Sequence, residues 1–146
     1  MPLNQFNVRV YGVLIRDSSV LITEEYRMGR NIIKFPGGGL EFGEGTRDCL
    51  KREFKEELEI DVSVGQHFYT TDFFQVSAFS NKQQIISIYY LVSTADAVAR
   101  ASSGELPGKT EGSQVFRWVP VKDLTIGYFT FPIDNKVAGM LIDTIN

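Results

Sequence analysis

Cysteine and histidine are nearly absent from this chain of 146 residues, which contains one of each. A single cysteine, Cys49, cannot form a disulfide within the chain, so a reducing, cytoplasmic setting is expected. A lone thiol is also a weak basis for a metal site, and Cys49 is expected to fill space. His67, at the start of a predicted strand, is not expected to take part in catalysis.

Long apolar runs and an excess of positive charge are also missing. No stretch of about 18 apolar residues occurs, which argues against a transmembrane helix. The N-terminal sequence MPLNQFNVRV lacks the basic start and the apolar middle of a signal peptide. The formal net charge of −3 provides no basic surface for polymeric nucleic acid or for an acidic membrane. Neither is expected as a partner.

The composition that remains is typical of a soluble globular protein. Hydrophobic residues make up 43% of the chain and charged residues 23%, and the length suits one domain that buries a core without disulfides. We therefore expect a single domain over residues 1–146. A mildly acidic protein can still act on a small polyphosphate if divalent cations lie between its carboxylates and the phosphate oxygens.

The order of apolar and polar residues predicts both strands and helices. Alternating or β-branched runs indicate strands at residues 5–16, 20–23, 62–64, 67–79, 84–92 and 115–119. Helices are predicted at residues 46–59, with Thr46 as the cap, and at residues 132–145. The three consecutive glycines at residues 37–39 predict a shaped loop that is neither helix nor regular strand. A long loop is expected over residues 95–109.

The helix predicted at residues 46–59 carries an apolar face beside an acidic one. An apolar stripe that should face the core is formed by Leu50, Phe54 and Leu58. Three carboxylates lie about 20° to 120° to one side of Leu50 on the helical wheel, and these are Glu53, Glu56 and Glu57. Beside a core stripe they should be partly buried, where charges about 5 to 6 Å apart repel by about 3 kcal/mol. Such a trio calls for cations or raised pKa values, and its oxygen ligands suit magnesium or manganese.

Other charged and aromatic residues are candidates for the same site. Arg52, four residues before Glu56, is expected to orient a carboxylate rather than to bind substrate. Three basic residues upstream of the glycines either meet phosphate oxygens or are ordinary surface charges, and these are Arg27, Arg30 and Lys34. Five aromatic residues are candidates for stacking on a base, although strand aromatics mostly lie in the core: Phe73, Phe74, Tyr89, Tyr128 and Phe129.

Residues 38–60, GGLEFGEGTRDCLKREFKEELEI, resemble the Nudix box. That pattern is Gly, five residues, Glu, seven residues, Arg-Glu, an apolar residue, any residue, Glu-Glu, any residue, Gly and a hydrophobe, and only its last glycine is replaced here, by Glu59. The segments FPGG at residues 35–38 and RWVP at residues 117–120 are also similar to this family. With Glu59 the helix either ends in a left-handed conformation at a cost of about 1 kcal/mol or runs on.

The resemblance to the Nudix hydrolase superfamily implies an α/β/α sandwich around a mixed β-sheet. It also implies hydrolysis of nucleoside diphosphates linked to another moiety, with Mg²⁺ or Mn²⁺ held by the loop and helix of the box. By position the metal ligands would be Glu53, Glu56 and Glu57, helped by the backbone carbonyl of Gly37 or Gly38.

Three further carboxylates have roles implied by the same resemblance. Glu44 would support the site through Arg52 or through a water on the metal. A loop before the last strand would supply one more carboxylate, for which Glu111 is the candidate and Glu105 the fallback. Either Glu53 or Glu111 would accept the proton of the attacking water.

The substrate and the oligomeric state stay open at this point. Residues 24–44 resemble the approach to the box in ADP-ribose pyrophosphatases, but Gln75 and Val76 stand where those enzymes often carry a proline. The compact length fits MutT-like nucleoside triphosphate pyrophosphohydrolases equally well. The small-molecule nucleotide is thus ADP-ribose, a nucleotide sugar or a (d)NTP, and the protein is a monomer or a homodimer. The alternative is a non-catalytic Nudix-fold nucleotide sensor, which would be expected to have lost carboxylates that this chain keeps.

Overall fold

The computed structural model describes residues 2–102 and 107–145. The strands, numbered in chain order, are β1 (Gln5–Arg16), β2 (Ser19–Arg27), β3 (Arg30–Lys34), β4 (Gly37–Gly39), β5 (Ser63–Thr70), β6 (Gln83–Ser93), β7 (Ala101–Ser102) and β8 (Gln114–Pro120). The helices are α1 (Thr46–Leu58), α2 (Pro132–Ile145) and a short 3₁₀-helix at Val121–Asp123. No helix within the described ranges combines the length and the apolar character needed to cross a membrane.

The described residues form two compact units. The first comprises residues 2–12 and 37–95, and the second residues 13–36, 96–102 and 107–145. In the first unit the hydrogen-bonded strand order is β5–β6–β1, with β4 also on β1. In the second it is β1–β2–β8–β7, with β3 also on β2. Strand β7 is parallel to β8, whereas β2 is antiparallel to each of its partners, so the sheet is mixed. Mixed pairing together with two α-helices confirms the predicted α/β class.

Strand β1 has the predicted bounds, and a tight turn links it to β2. Asp17 and Ser18 both have positive φ, at 52° and 62°, and the register joins Arg16 to Ser19. Two left-handed residues give a hairpin the twist of its flanking strands, and short polar side chains tolerate that conformation better than bulky ones do. Strand β2 continues past the predicted end because β3, which the sequence pattern did not indicate, pairs with it.

The glycines at residues 37–39 form a strand, so the prediction of a loop was wrong. They pair antiparallel with β1, in a register that joins Gly37 to Tyr11 and Gly39 to Arg9. A Cβ on Gly37 would lie only 2.7 Å from the Cα of Tyr11. Glycine here serves the close approach of two backbones rather than a turn.

The strand predicted at residues 67–79 was too long. Strand β5 ends at Thr70, and the residues after it pair irregularly with β6, through the Thr71 N–H that donates to the Ser87 carbonyl at 2.9 Å and an isolated bridge between Val76 and Gln84, with side-chain bonds added. The Tyr69 hydroxyl donates to Asp72 at 2.6 Å, and the Thr71 hydroxyl donates to the carbonyl of Ser87 at 3.1 Å. Short polar side chains compete with regular pairing in this way.

Helix α1 packs on the first unit through the predicted stripe. Leu50, Phe54 and Leu58 are at most 3% exposed, which confirms that the stripe faces the core. Strand β1 makes room for the Phe54 ring with Gly12, where a Cβ would lie 2.7 Å from the ring. The predicted cap was wrong by one residue, because Gly45 is the cap and the Thr46 hydroxyl is hydrogen-bonded to the Tyr90 hydroxyl at 2.7 Å.

The second unit has its own core. The rings of Phe35 and Phe129 stack with centroids 4.4 Å apart. Helix α2 has the predicted bounds and buries Val137 and Leu141. The long loop predicted at residues 95–109 contains β7, and the part of it at residues 103–106 lies outside the described residues.

Candidate active site

The acidic residues of helix α1 lie beside strand β4 in the first unit. The chain turns from β4 into the helix through residues 40–45, where the backbone N–H of Glu41 donates to the Glu44 carboxylate at 2.9 Å. The Asp48 carboxylate then accepts from the Gly45 N–H at 3.4 Å, in the first turn of the helix. Satisfying these N–H groups fixes the helix start. The helix start in turn sets the register in which its glutamates meet β4.

Arg52 lies at the centre of the acidic group. Its Nε and Nη2 atoms donate to the two carboxylate oxygens of Glu44, at 3.0 and 2.7 Å. Its Nη1 atom donates to Glu53 at 3.0 Å and to Glu56 at 3.3 Å. Nη2 also donates to the carbonyl of Gly39 at 3.1 Å. The predicted contact of Arg52 with Glu56 is therefore present, and the other acceptors fix the guanidinium plane.

The pairing of Arg52 with Glu44 shifts the pKa of both groups. The hydrogen bond from Arg52 is the largest cause that lowers the pKa of Glu44, from 4.5 to about 2. The same bond is the largest cause that raises the pKa of Arg52. Both groups are therefore charged at neutral pH, and the bidentate geometry makes this a strong ion pair.

Glu53 is enclosed against the glycine strand. Its side chain is 14% exposed, and a Cβ on Gly38 would lie 2.5 Å from its Cδ. Burial raises the pKa of Glu53, and the hydrogen bond from Arg52 opposes that rise. A carboxylate in this setting gains more from a nearby cation, or from a proton, than an exposed one does.

The other two carboxylates of the predicted trio differ in exposure. Glu57 is half-buried, but the Glu56 side chain is 56% exposed, so the expectation that all three carboxylates are partly buried was wrong for Glu56. The helical wheel explains the difference, because Glu56 lies about 120° from Leu50, whereas Glu53 and Glu57 lie about 60° and 20° from it.

Glu59 ends helix α1 in the left-handed conformation. Its φ and ψ are 58° and 34°, and its N–H donates to the carbonyl of Lys55 at 3.0 Å. Of the two alternatives for this position, the strained helix end is therefore confirmed, and the helix does not run on.

In this structure the carboxylates of Glu44, Glu53 and Glu56 surround the guanidinium of Arg52. Across residues 2–102 and 107–145, no three Asp, Glu, Cys or His side chains are placed so that they could hold one ion. The donor chemistry nevertheless fits the hard cations that the resemblance implies, since carboxylate and carbonyl oxygens are their usual ligands. The space that a Cβ on residue 38 would fill, next to Glu53, is kept open by glycine.

The register of β4 distinguishes the two predicted carbonyl ligands. The Leu40 N–H donates to the carbonyl of Val8 at 2.9 Å. Backbone groups alternate in direction along a strand, so Gly38 points its carbonyl at β1, whereas Gly37 and Gly39 point theirs away. The Gly39 carbonyl is indeed the one that accepts from Arg52. This geometry favours Gly37 over Gly38 as an oxygen ligand.

The remaining predicted site residues lie in the second unit. The Glu111 carboxylate accepts from the backbone N–H of Met28, with its two oxygens at 2.9 and 3.1 Å. Lys34 is 3.1 Å from Glu25 in an ion pair. Arg27 and Arg30 are opposite each other at the turn between β2 and β3, and both are exposed. The fallback residue, Glu105, lies outside the described residues.

The aromatic candidates divide into buried and exposed side chains. Tyr89 and Phe129 are 1% and 2% exposed and belong to the core. Tyr128 is half-buried, and its hydroxyl accepts from Arg117 at 3.1 Å. Phe73 and Phe74 are 39% and 62% exposed. His67 is exposed and hydrogen-bonded to the Thr70 hydroxyl at 2.7 Å.

The sequence pattern did not single out Arg9, which lies beside the same glycine strand. It pairs with Gly39 in the register of β1 with β4, and its charge opposes in part the rise in the pKa of Glu53 that burial causes. The available signal was a charged residue on the same strand face as the aromatic Tyr11, within a run, residues 8–15, that is otherwise apolar.

Solved structures of other proteins share this fold. The chain is similar to a NUDIX hydrolase from Nitrosomonas europaea, with a TM-score of 0.73 and 17% identity over 96% of this chain and 90% of that one. For the MutT protein from Methanosarcina mazei Go1 the TM-score is 0.70, with 17% identity over 98% and 96% of the two chains. For an ADP-ribose pyrophosphatase from Streptococcus suis 89-1591 it is 0.58, with 14% identity over 92% and 90%. A family model, the NUDIX domain, matches residues 6–138. This chain belongs to the NUDIX domain family.

Proposed function

We propose that this protein hydrolyses the diphosphate linkage of a nucleoside diphosphate derivative, with Mg²⁺ or Mn²⁺ as cofactor. Membership of the NUDIX family supports pyrophosphohydrolase activity on a small nucleotide. The structural observation that supports metal-dependent cleavage is the enclosed Glu53 carboxylate. It lies against Gly38 and is linked to Glu44 and Glu56 through Arg52. We also propose one domain over residues 1–146, because the family match runs through both compact units.

The residues that would hold the cation are Glu53, Glu56 and Glu57, with a glycine carbonyl for which the register favours Gly37. A bound cation would neutralise phosphate charge and lower the pKa of a water. Arg52 positions Glu53 and Glu56 in advance, and Glu44 fixes Arg52 through two hydrogen bonds. Such pre-arrangement reduces the reorganisation needed when substrate binds.

Two carboxylates compete for the role of proton acceptor. Burial raises the pKa of Glu53, which makes its carboxylate a stronger base than an exposed one. Glu111 binds the backbone N–H of Met28, a contact that supports a role in holding the turn after β2. We therefore place Glu53 first. If this order is correct, Glu53→Gln lowers kcat by about 10² to 10⁴ and Glu111→Gln lowers it far less.

Three substrate classes remain within the proposal: ADP-ribose, nucleotide sugars and (d)NTPs. The approach to the box, residues 24–44, supports the first. Structural relatives include both an ADP-ribose pyrophosphatase and a MutT protein. Among the basic residues proposed to meet phosphate, Arg27 and Arg30 are exposed, whereas Lys34 is half-buried and lies 3.1 Å from Glu25.

The experiment that tests the function is a substrate panel in Mg²⁺ with products identified by mass spectrometry. We expect a nucleoside monophosphate product from at least one class, and no product after chelation of the metal. A non-catalytic sensor would instead bind a nucleotide and release nothing. The panel therefore separates catalysis from binding and names the substrate class.

Variants of the box then test the site assignment. Glu53→Gln and Glu56→Gln should each lose activity, whereas Asp61→Asn, which removes an exposed carboxylate 3.3 Å from Lys55, should keep it. Activity within about tenfold of wild type in both glutamine variants would show that the site lies elsewhere.

A further inference from the structure

Arg9 lies beside the glycine strand, on the opposite face from Glu53. A Cβ on Gly39 would lie 3.6 Å from Arg9 Nη1, whereas a Cβ on Gly38 would meet Glu53. Successive residues of a strand point to opposite faces, so Arg9 and Glu53 flank β4 from its two sides. The three glycines of the strand have no side chains that could stand between the guanidinium of Arg9 and the carboxylate of Glu53.

The Arg9 side chain is held in place by a buried tyrosine. Its Nε donates to the Tyr11 hydroxyl at 2.6 Å, and its Cζ lies 5.7 Å from the centroid of the Tyr11 ring. The Tyr11 ring is 6% exposed and lies 5.3 Å from that of Tyr89, which is 1% exposed. The guanidinium of this half-buried arginine is therefore directed by rigid neighbours and not by a mobile loop.

The acidic group needs a positive partner for an anionic substrate, and Arg52 is not suited to be that partner. A guanidinium has five N–H donors, and those of Arg52 are directed at Glu44, Glu53, Glu56 and the Gly39 carbonyl. A diphosphate could recruit Arg52 only by displacing the carboxylates that it holds.

Two other basic side chains of the first unit are directed elsewhere. Arg47 lies over the Tyr90 ring at 4.8 Å and donates to the Val64 carbonyl at 2.6 Å. Lys55 pairs with Asp61 at 3.3 Å. The Arg9 Nη1 atom instead lies 3.6 Å from the Cβ position of Gly39, beside the same strand that Glu53 contacts at Gly38.

We propose that Arg9 binds the phosphate groups of the substrate across the glycine strand from Glu53. A planar guanidinium can donate two parallel hydrogen bonds to a phosphate, which an ammonium cannot do. The inference rests on the proposed hydrolase function and adds to it a substrate-binding residue outside the box. The ligand chemistry is a nucleoside diphosphate group, whichever moiety is attached to it.

The test compares Arg9→Gln and Arg9→Lys with wild type. KM and kcat are measured on the best substrate of the panel, and calorimetry gives the Kd of α,β-methylene-ADP, a diphosphate that is not hydrolysed, in Mg²⁺. Arg9→Gln should raise both KM and Kd by about 10- to 100-fold, the usual effect of losing hydrogen bonds to a charged group. Arg9→Lys should recover part of this loss. Arg47→Gln, which removes an arginine stacked on a different tyrosine, is the matched control and should bind as wild type does.

Each outcome decides one question. A lower melting temperature in Arg9→Gln with KM and Kd within about threefold of wild type would overturn the inference, because Arg9 would then only support Tyr11. If wild type binds the analogue but hydrolyses no substrate, the proposed function fails, and the Kd of Arg9→Gln still decides the role of Arg9. If wild type neither binds nor hydrolyses, both proposals are overturned.

Discussion

A single methyl group added at Gly38 should disable the site, whereas the same change at the neighbouring Gly39 should be tolerated. The Cβ of Gly38→Ala would lie 2.5 Å from Glu53 Cδ and 2.7 Å from Glu53 Oε2. Non-bonded carbon atoms prefer a separation of about 3.5 Å, so the carboxylate must move by about 1 Å. Gly39→Ala is the matched control, since its Cβ would meet Arg9 Nη1 at an ordinary 3.6 Å on the other face.

The displacement sets the size of the expected effect. A shift of about 1 Å in a catalytic group can cost about 100-fold in rate, so kcat of Gly38→Ala should fall by that order. Forcing an extra carbon into a packed region costs about 1 to 3 kcal/mol. Glu53 can relieve much of this by moving, so we expect the lower end of that range. Gly39→Ala should keep kcat within about threefold of wild type, because it displaces no group of the site.

The assay is steady-state kinetics on the best substrate of the panel, with a melting curve and circular dichroism for each variant. The expected pattern is a folded Gly38→Ala protein with little activity beside a folded, active Gly39→Ala protein. The reasoning is refuted if Gly38→Ala is folded and turns over within about threefold of wild type. The position of Glu53 against the glycine strand would then be unimportant for the reaction.

Three further outcomes follow from the fold. Glu59→Gly should raise the free energy of unfolding by about 1 kcal/mol in urea titrations, because glycine removes the strain at φ 58°, whereas Glu59→Ala, which keeps a Cβ, should not. Gly139→Ala should stabilise the protein by about 0.5 to 1 kcal/mol, because its Cβ would point from α2 into open space; no gain in melting temperature would contradict this. The pKa of Glu44 is lowered from 4.5 to about 2, so its stabilising charge is present above pH 4.5 and is lost as the pH falls toward 2. Unfolding free energies measured through that window should therefore fall less steeply in Glu44→Gln than in wild type.

The parts of the fold that could be predicted from the sequence are those in which apolar residues repeat with the period of a single strand or helix. The apolar pattern of β1 gave its correct bounds, and the stripe of Leu50, Phe54 and Leu58 gave the correct buried face of α1. Both succeeded because burial of one face imposes the period of the element on the sequence. The strand at residues 37–39 could not be found in this way. Glycine has no side chain to alternate, and its strand exists because two backbones approach closely, which is a property of the pair.

The same distinction applies to the candidate site. Glu44, Arg52 and Glu53 lie within one loop and one helix, so their spacing along the chain already implies their contacts. The exposure of Glu56 was predicted less well, because the three glutamates were treated as one partly buried group although Glu56 lies about 120° from Leu50 on the wheel.

Arg9 marks where sequence spacing stops being informative. It is thirty positions from Gly39 along the chain, and only the register of β1 with β4 joins them. Once residues 37–39 are known to be a strand, however, the hydrogen bond from Leu40 to Val8 fixes that register, and with it the direction of each backbone carbonyl and Cβ position. The strand then places Glu53 on one face, Arg9 on the other and the Gly37 carbonyl at the edge. A one-residue slip would exchange the two faces, so the three glycines determine the geometry of this site as much as the glutamates do.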